Sequence, residues 1–411
     1  LITIEGCKKI RSSIFRKVHP GTAILEILLV AALISVLVAI EPTGWDLSVY
    51  REGALTLLRE PEALYGPFVG PANAPGLPFT YPTFAAILFL PMAFFPYWVS
   101  VSLTMAASII LTYLVAKDLS ARVVQKWPTL APVITPLTLT CLMLMSAPFR
   151  DTVWFGQINI LILGACYLTF VRYKSLMPFV IAVGICAGIK LTPIALLILP
   201  FAMRKWRAVL VGVATFIGTQ VVGLLFQTQN TLDYWLDVVQ DPSRVGNVGY
   251  IDNVSLQGML ERLNAPSLVW LVLALGVGLS FVILLWKLHE KVDRVVLLGV
   301  ASACPLLVSP VSWSHHWVWL PVMTFAWTVL ALRFAPVLRR TMLISMVLCY
   351  VVLSIGAKKI VAFAGYFPDG ELPVWCYILP AVPVLVQLLC LAISLVSTRQ
   401  ASKAEPASLL S

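Results

Sequence analysis

Apolar positions in this chain gather into long uninterrupted runs, near 22–40, 98–117, 131–148, 156–172, 208–226, 267–286, 294–309, 317–332, 341–357 and 375–396. Each is roughly 17 to 22 residues, the length that carries an α-helix across about 30 Å of hydrocarbon. Two segments break the pattern. Residues 176–203 are apolar but hold Lys190 and Pro193 in the middle, which predicts two short helices back to back. Residues 82–96 contain Pro82, Pro91 and Pro96 and predict a short or re-entrant helix. The first run is too long for a signal peptide and has no small-residue cleavage site before Glu41. The fold class expected is an all-α polytopic membrane protein of about 11–13 transmembrane or re-entrant helices.

Composition agrees. Of 411 residues, 60% are hydrophobic and 12% charged, about half the charged share of a soluble chain. The net charge of +10 is a topology signal. With the basic tail 1–21 in the cytoplasm, alternating crossings put 21 of the 29 Lys and Arg on that side, leaving 8 basic and 13 acidic residues on the other. A nucleic-acid partner is therefore not expected, and the count requires that 82–96 does not cross. The eight cysteines show no CxxC pair, and seven lie in apolar runs, so neither disulfide nor metal site follows. The tail 397–411 is small and polar and reads as disordered. Between the tails, 22–396 forms a single transmembrane domain.

The two long connections fall on the outer face, at 41–81 and 227–266. Loops of that length in a compact fold are usually functional or disordered. The first carries "DLSVYREGALTLL", an amphipathic surface helix, and then the Pro/Gly stretch "GPANAPGLPFTYP", a candidate flap. The second carries "NTLDYWLDVV" and "GYIDNVSLQGMLERL", both readable as short surface helices. Polar groups collect at the same outer ends: Asp46 and Tyr50; Arg150, Asp151, Gln157 and Asn159; Lys190; Asn253, Ser255 and Arg262; His315 and His316. Ionisable groups at membrane depth are costly and mark functional sites by default. Each also has a plain structural reading, as a helix-end residue at the interface or, for the histidines beside Trp313, Trp317 and Trp319, as part of an aromatic belt.

Six short patterns in one order carry a resemblance. They are D-x-x-V-Y from Asp46, "PFTYPTFAAILFLP", "FGQINILIL", "GIKLTP", N-V-S-L-Q-G from Asn253 and P-V-S-W-S-H-H from Pro310. Together they cover about two-thirds of the chain, and the sequence resembles glycosyltransferase family 87, membrane enzymes of the GT-C type found in mycobacteria and relatives. The resemblance implies a polyprenyl-phosphate sugar donor, a lipid-anchored glycan acceptor such as a phosphatidylinositol mannoside or lipomannan, and reaction on the extracytoplasmic face of the plasma membrane. The sugar it implies is mannose in α-(1→2) linkage, with arabinofuranose as the alternative.

The residue types fit such a transfer. Displacing a lipid phosphate from an anomeric carbon needs a general base for the acceptor hydroxyl and cations for the leaving group. Because phosphate already leaves well, no second carboxylic acid is required, unlike in glycoside hydrolysis. Asp46, beside the sugar-stacking candidate Trp45, is the expected base of an inverting reaction, although Asp ahead of "LSVYREGALTLL" is equally a good helix N-cap. His315 and His316, about 100° apart on a helix, are expected to supply at least one group that binds phosphate, orients the acceptor or moves a proton. Lys190 and Arg150 are phosphate-binding candidates. Gln157 and Asn159 are candidates for reading sugar hydroxyls, with Tyr50, Asn253 and Arg262 as further substrate contacts. Asp46 with Asp151 or Asp252 lacks DxD-type spacing, so no metal and no other cofactor is expected beyond the lipid-linked co-substrate. A lipid or lipid-linked-sugar transporter, built on the broken helices, and a non-catalytic assembly subunit are the rivals from other classes.

Overall fold

The computed structural model describes residues 20–39, 43–69, 76–367 and 372–404. Among these the chain is helical and contains no strand, apart from an isolated antiparallel bridge between Asn253 and Trp313. The chain runs through α1 (Pro20–Ala39), α2 (Trp45–Arg59), α3 (Thr83–Phe94), α4 (Tyr97–Lys126), α5 (Pro136–Met145), α6 (Ala147–Phe155), α7 (Asn159–Arg172), α8 (Met177–Ile189) and α9 (Trp206–Phe226). It continues through α10 (Thr228–Leu236), α11 (Leu256–Glu261), α12 (Ser267–Leu288), α13 (Arg294–Val308), α14 (Leu320–Ala331), α15 (Pro336–Ile355), α16 (Ala357–Phe363) and α17 (Ala381–Ala404).

Five stretches among the described residues are long and apolar enough to cross a bilayer: Tyr97–Lys126, Trp206–Phe226, Ser267–Leu288, Pro336–Ile355 and Val374–Ser397. A sixth arises if the bent pair α6–α7 counts as one span, and six shorter apolar helices fill in around them. Burial explains the arrangement. In α12, Leu268, Leu271, Val272, Leu275 and Leu279 face outward, as side chains against lipid do, whereas α13 and α14 are buried on nearly all sides and form the centre of the bundle. Close packing uses small residues. The sequence Gly184-Ile-Cys-Ala-Gly188 brings α8 onto α9, where a Cβ on Gly184 would stand 2.7 Å from the Gly212 carbonyl oxygen, the close approach that small-xxx-small spacing permits between helices in lipid.

Most sequence expectations hold in outline. The run 176–203 breaks at Lys190, with α8 before it and a 3₁₀ turn at Thr192–Leu197 after it. Residues 82–96 form the 12-residue α3, about 18 Å long and too short to cross. Helices form at the expected places in both outer loops, α2 in the first and α10 and α11 in the second, but α11 is not a surface helix: Leu256, Gln257, Gly258 and Leu260 are buried, and α2 buries one face through Leu47, Tyr50, Ala54 and Leu57. Three expected spans are not continuous helices. The run 317–332 begins inside the 3₁₀ turn Ser314–Trp319 before α14 starts at Leu320, and 375–396 is interrupted between a short helix Val374–Ile378 and α17. The run 131–148 divides because α5 ends at Met145 and α6 begins at Ala147, lying at 117° to α7. Ser146 and Pro148 interrupt the helix there, Pro148 having no N–H to give. Most of the 1–21 tail and residues 70–75 of the candidate flap lie outside the described residues. The final helix runs to Ala404, through the first residues of the 397–411 tail. The seven described cysteines are buried and unpaired.

The break between α6 and α7 positions the site. Gly156 sits at φ +67°, and the Gly156 N–H to Val153 O (3.2 Å) and Gln157 N–H to Thr152 O (2.8 Å) bonds close α6 as a Schellman cap. A Cβ on Gly156 would lie 2.7 Å from the Leu47 Cβ of α2, so the same glycine allows the turn and the approach of α2. Gly156→Ala is expected to destabilise the protein by about 1–3 kcal/mol, read as a lowered melting temperature of the detergent-purified protein, and an unchanged melting temperature would refute the strain.

Candidate active site

Side chains from four breaks in the helical pattern meet in one cavity of about 430 Å³ at one end of the bundle. Its walls include Asp46 from the start of α2, Gln157 from the α6–α7 break, Lys190 from the end of α8, and His315 and His316 from the 3₁₀ turn Ser314–Trp319 that follows α13. Five residues scattered over 270 positions are thereby brought together, and each is polar for a local reason. A helix terminus leaves backbone groups and side chains free of the helical hydrogen-bond ladder, so breaks are where polar chemistry fits in an apolar bundle.

Asp46 is not the N-cap. Gly44, at φ 59°, occupies that position with its N–H bound to Trp154 O (2.9 Å), and no side chain caps the helix. The carboxylate lies instead in the first turn of α2, turned to the cavity. Burial pushes its pKa up to about 6, against the opposing pull of Lys190 and of a hydrogen bond from Gln157. Gln157 is held from behind: Tyr50 Oη donates to Gln157 Oε1 at 2.7 Å, and Tyr50 and Tyr81 share a hydroxyl contact of 3.2 Å. With its oxygen so occupied, the Gln157 amide directs its N–H at Asp46. Trp45, the expected sugar-stacking residue, lies on Phe155 in parallel (centroids 6.2 Å, planes 8° apart) and is 53% exposed, but it does not line the cavity.

Lys190 Nζ donates to Asn159 Oδ1 at 3.1 Å and meets His316 Nε2 at 2.9 Å. As an ammonium Lys190 can only donate, so it bonds His316 when Nε2 carries no proton. Burial and the nearby Lys190 charge hold His316 well below the usual histidine range; burial, Lys190 and Lys358 do the same for His315. The two differ in engagement. His316 is tied to Lys190, whereas neither ring nitrogen of the 93% buried His315 has a hydrogen-bond partner among the described residues. Its backbone carbonyl is pinned by Thr152 Oγ1 (3.0 Å) and Asn159 Nδ2 (3.1 Å), so an anchored neutral imidazole lines the cavity with both nitrogens unused.

The remaining candidates sit elsewhere. Tyr50 and Asn159 support the wall from behind, through Gln157, Lys190 and the His315 backbone. Arg150 does not reach the cavity; its Nε pairs with Asp151 at 3.0 Å and its Nη1 with Met145 O. Asn253 is fully buried and structural. Its Nδ2 donates to Val248 O and Pro310 O, and its Oδ1 accepts from the Ser312 N–H, which with Val254 N–H to Ser312 O and Ser314 N–H to Asp252 O clamps the strand-like segment leading into the histidines. Arg262 Nη1 donates to Tyr250 O and Asn253 O, one shell further out. Asp151 and Asp252, the possible metal partners of Asp46, are engaged by Arg150 and Lys358 (3.0 Å). Among the described residues no group of three His, Cys, Asp or Glu side chains converges.

Sequence reasoning missed Arg244, Tyr81 and Trp313 on the cavity wall. Arg244 comes from the second outer loop and donates to Tyr65 O (2.7 Å) and Gly66 O (3.0 Å) of the first, joining the two loops across the mouth. Its only sequence signal was a cation in a long outer loop. Tyr81 stood inside a quoted pattern, but only its contact with Tyr50 marks it.

A profile of the family described as Glycosyltransferase family 87 matches residues 79–310, which includes Gln157, Asn159 and Lys190, leaves the histidines just past its end and does not reach back to Asp46. The chain is 32% identical over 284 residues to a polyprenol-phosphate-mannose-dependent alpha-(1-2)-phosphatidylinositol pentamannoside mannosyltransferase of Mycobacterium tuberculosis, covering 68% of this chain and 65% of that protein. It is 32% identical over 297 residues to the protein of the same description from Mycolicibacterium smegmatis, covering 68% of each. A polyprenol-phosphate-mannose-dependent alpha-(1-2)-phosphatidylinositol mannoside mannosyltransferase of Mycolicibacterium smegmatis is 28% identical over 320 residues, 71% of each chain. The chain thus spans about two-thirds of the length of these relatives.

The Asp46 carboxylate should set the acid limb of any activity that uses it as a base. Its pKa is raised to about 6, so it is protonated below that pH and charged above. Turnover is expected to fall as pH drops through about 6 and to plateau on the alkaline side; a rate flat down to the ordinary aspartate range would exclude the assignment.

Proposed function

Because the chain belongs to glycosyltransferase family 87, we propose that it transfers mannose from a polyprenyl-phosphate donor to a hydroxyl of a lipid-anchored glycan. The acceptor class is a phosphatidylinositol mannoside or lipomannan, and the face proposed for the reaction is the extracytoplasmic face of the plasma membrane, a reading supported by the asymmetry of basic residues. The observation that carries this reading is the convergence, in one cavity at a single end of a multi-helix bundle, of a carboxylate with a raised pKa, a lysine, and a histidine with both ring nitrogens unpartnered.

The steps follow from those groups. Asp46 takes the proton of the acceptor hydroxyl. The oxygen attacks the anomeric carbon from the side opposite the phosphate, forming the new glycosidic C–O bond and inverting the centre. The bond from the anomeric carbon to the phosphate oxygen breaks, and its electron pair leaves with polyprenyl phosphate. A base with a pKa closer to neutrality is stronger than an ordinary aspartate and remains largely ionised. Lys190 and an N–H of His315 meet the negative charge that grows on the departing phosphate. His316 and Asn159 hold Lys190 in place, and Gln157 orients Asp46. Arg244 sits at the mouth as a further cation toward the donor. No step calls for a metal.

Transfer by membranes containing the wild-type protein or Asp46→Asn, from polyprenyl-phosphate mannose to phosphatidylinositol mannosides, tests the proposal. The variant is expected to lose about 10²–10⁴-fold in rate while protein level and donor binding persist. Undiminished transfer would remove Asp46 as the base. Mannose transfer absent in the wild type but arabinofuranose transfer present would replace the sugar, and failure with both donors would favour a transporter built on the helix break at Lys190.

A further inference from the structure

The face opposite the cavity holds a second concave site. Three helices show where that face lies. The Tyr97 end of α4 touches the cavity end of α2, since Tyr97 Oη donates to Gly44 O at 3.0 Å; the Lys126 end is 30 residues away, about 45 Å along a straight helix. α13 runs from Arg294 toward the cavity, and α14 runs from the histidine turn away from it. The end of α4, the start of α13 and the end of α14 therefore converge at the far side of the membrane domain.

Between them lies a groove of about 330 Å³ whose lining includes Arg122, Lys126, Asp293, Phe325, Val329 and Arg333. The charges are unequal. Arg122 is committed: it pairs with Asp118 (2.7 Å) and Asp293 (2.9 Å), and Tyr167 Oη donates to the same Asp118 at 2.6 Å. Lys126 and Arg333 add two cations at the rim with no carboxylate paired to either among the described residues. Arg333 is steadied by a bond from Nη2 to Lys291 O (3.0 Å), and its other donors point to no described partner. The floor is apolar, and Phe325 meets the Trp127 ring edge-on at 6.4 Å, with Lys126 Nζ 5.9 Å from that indole. Tryptophan beside cations at the end of a spanning helix is the composition of the headgroup level.

We infer that this groove binds the headgroup of an anionic phospholipid, with Lys126 and Arg333 on the phosphate and Phe325 and Val329 against the glycerol and upper acyl chain. The chemistry commits the occupant: two cations without paired carboxylates select a negative headgroup, the apolar floor selects a lipid over a soluble anion, and basic pockets between helices at a membrane surface recognise such lipids. The inference is independent of the sugar-transfer reading, because no residue of the cavity takes part.

The test is native mass spectrometry of the full chain released from nanodiscs of equal phosphatidylglycerol and phosphatidylcholine. The wild type is expected to retain phosphatidylglycerol in preference to phosphatidylcholine, and Lys126→Gln/Arg333→Gln to retain it roughly thirtyfold less, the scale of two lost surface charges. Arg333→Lys, which keeps the charge, should retain it nearly as the wild type does, and wild-type retention should weaken as salt rises. Equal retention of the two lipids by the wild type, or unchanged phosphatidylglycerol on the double variant, overturns the site. Displacement by millimolar inorganic phosphate would reassign it to a soluble anion and overturn it equally. Should the double variant melt early, the Arg333→Lys and salt series decide alone.

Discussion

In hydrocarbon a backbone N–H or C=O without a partner costs several kcal/mol, and this constraint organises everything else in the protein. Continuous helices satisfy the backbone but leave no place for chemistry, so the polar groups that converge on the cavity enter where helices start, stop or bend. Gly44 starts α2 and sets Asp46 beside the cavity. Gly156 ends α6, and its Schellman cap satisfies the backbone while presenting Gln157. Pro193 stops α8 from continuing and leaves Lys190 at its end. The turn after α13 delivers the histidines. Each break is individually tolerable because caps, 3₁₀ turns and side chains absorb the loose backbone groups.

A carboxylate and an ammonium half-buried in an apolar bundle would each be expensive alone. Placed in one cavity they offset one another in part, and neutral amides and imidazoles complete the set. The result is a graded site: Lys190 is held by Asn159 and His316, Asp46 is directed by Gln157 and behind it by Tyr50 and Tyr81, and His315 alone keeps both ring nitrogens uncommitted. Such an arrangement is prepared before any substrate arrives, which is the condition the proposed transfer would need for electrostatic stabilisation. Asn253 and Arg262 serve it at a distance, by fixing the segment that carries the histidines.

Legibility in the sequence was uneven, for physical reasons. Length and hydropathy fixed the membrane class, and Pro or Lys inside an apolar run announced the broken helix at 176–203 and the short one at 82–96. The run at 131–148 misled because Ser146 and Pro148 are small and do not interrupt hydropathy, although together they end one helix and start another. Asp46, Gln157, Lys190 and the histidines were legible as polar residues at helix ends. Asn253 and Arg262 looked the same in sequence, since a polar residue that clamps a loop and one that meets a substrate have identical composition. Arg244 and Tyr81 carried no distinguishing local signal.

The sequence by itself determined that this chain is a multi-helix membrane protein, that its apolar run 176–203 breaks near Lys190, and where its polar groups concentrate along the chain, because helix periodicity, proline and transfer free energy act locally. Only the tertiary structure decided which of those polar groups share one cavity, that Asp46 is no helix cap, that His316 is tied to Lys190 while His315 is not, and that Arg150 pairs with Asp151 outside the wall. Those outcomes rest on packing between segments more than a hundred residues apart, on a glycine that lets α2 approach α6, and on hydrogen bonds whose partners no local pattern names.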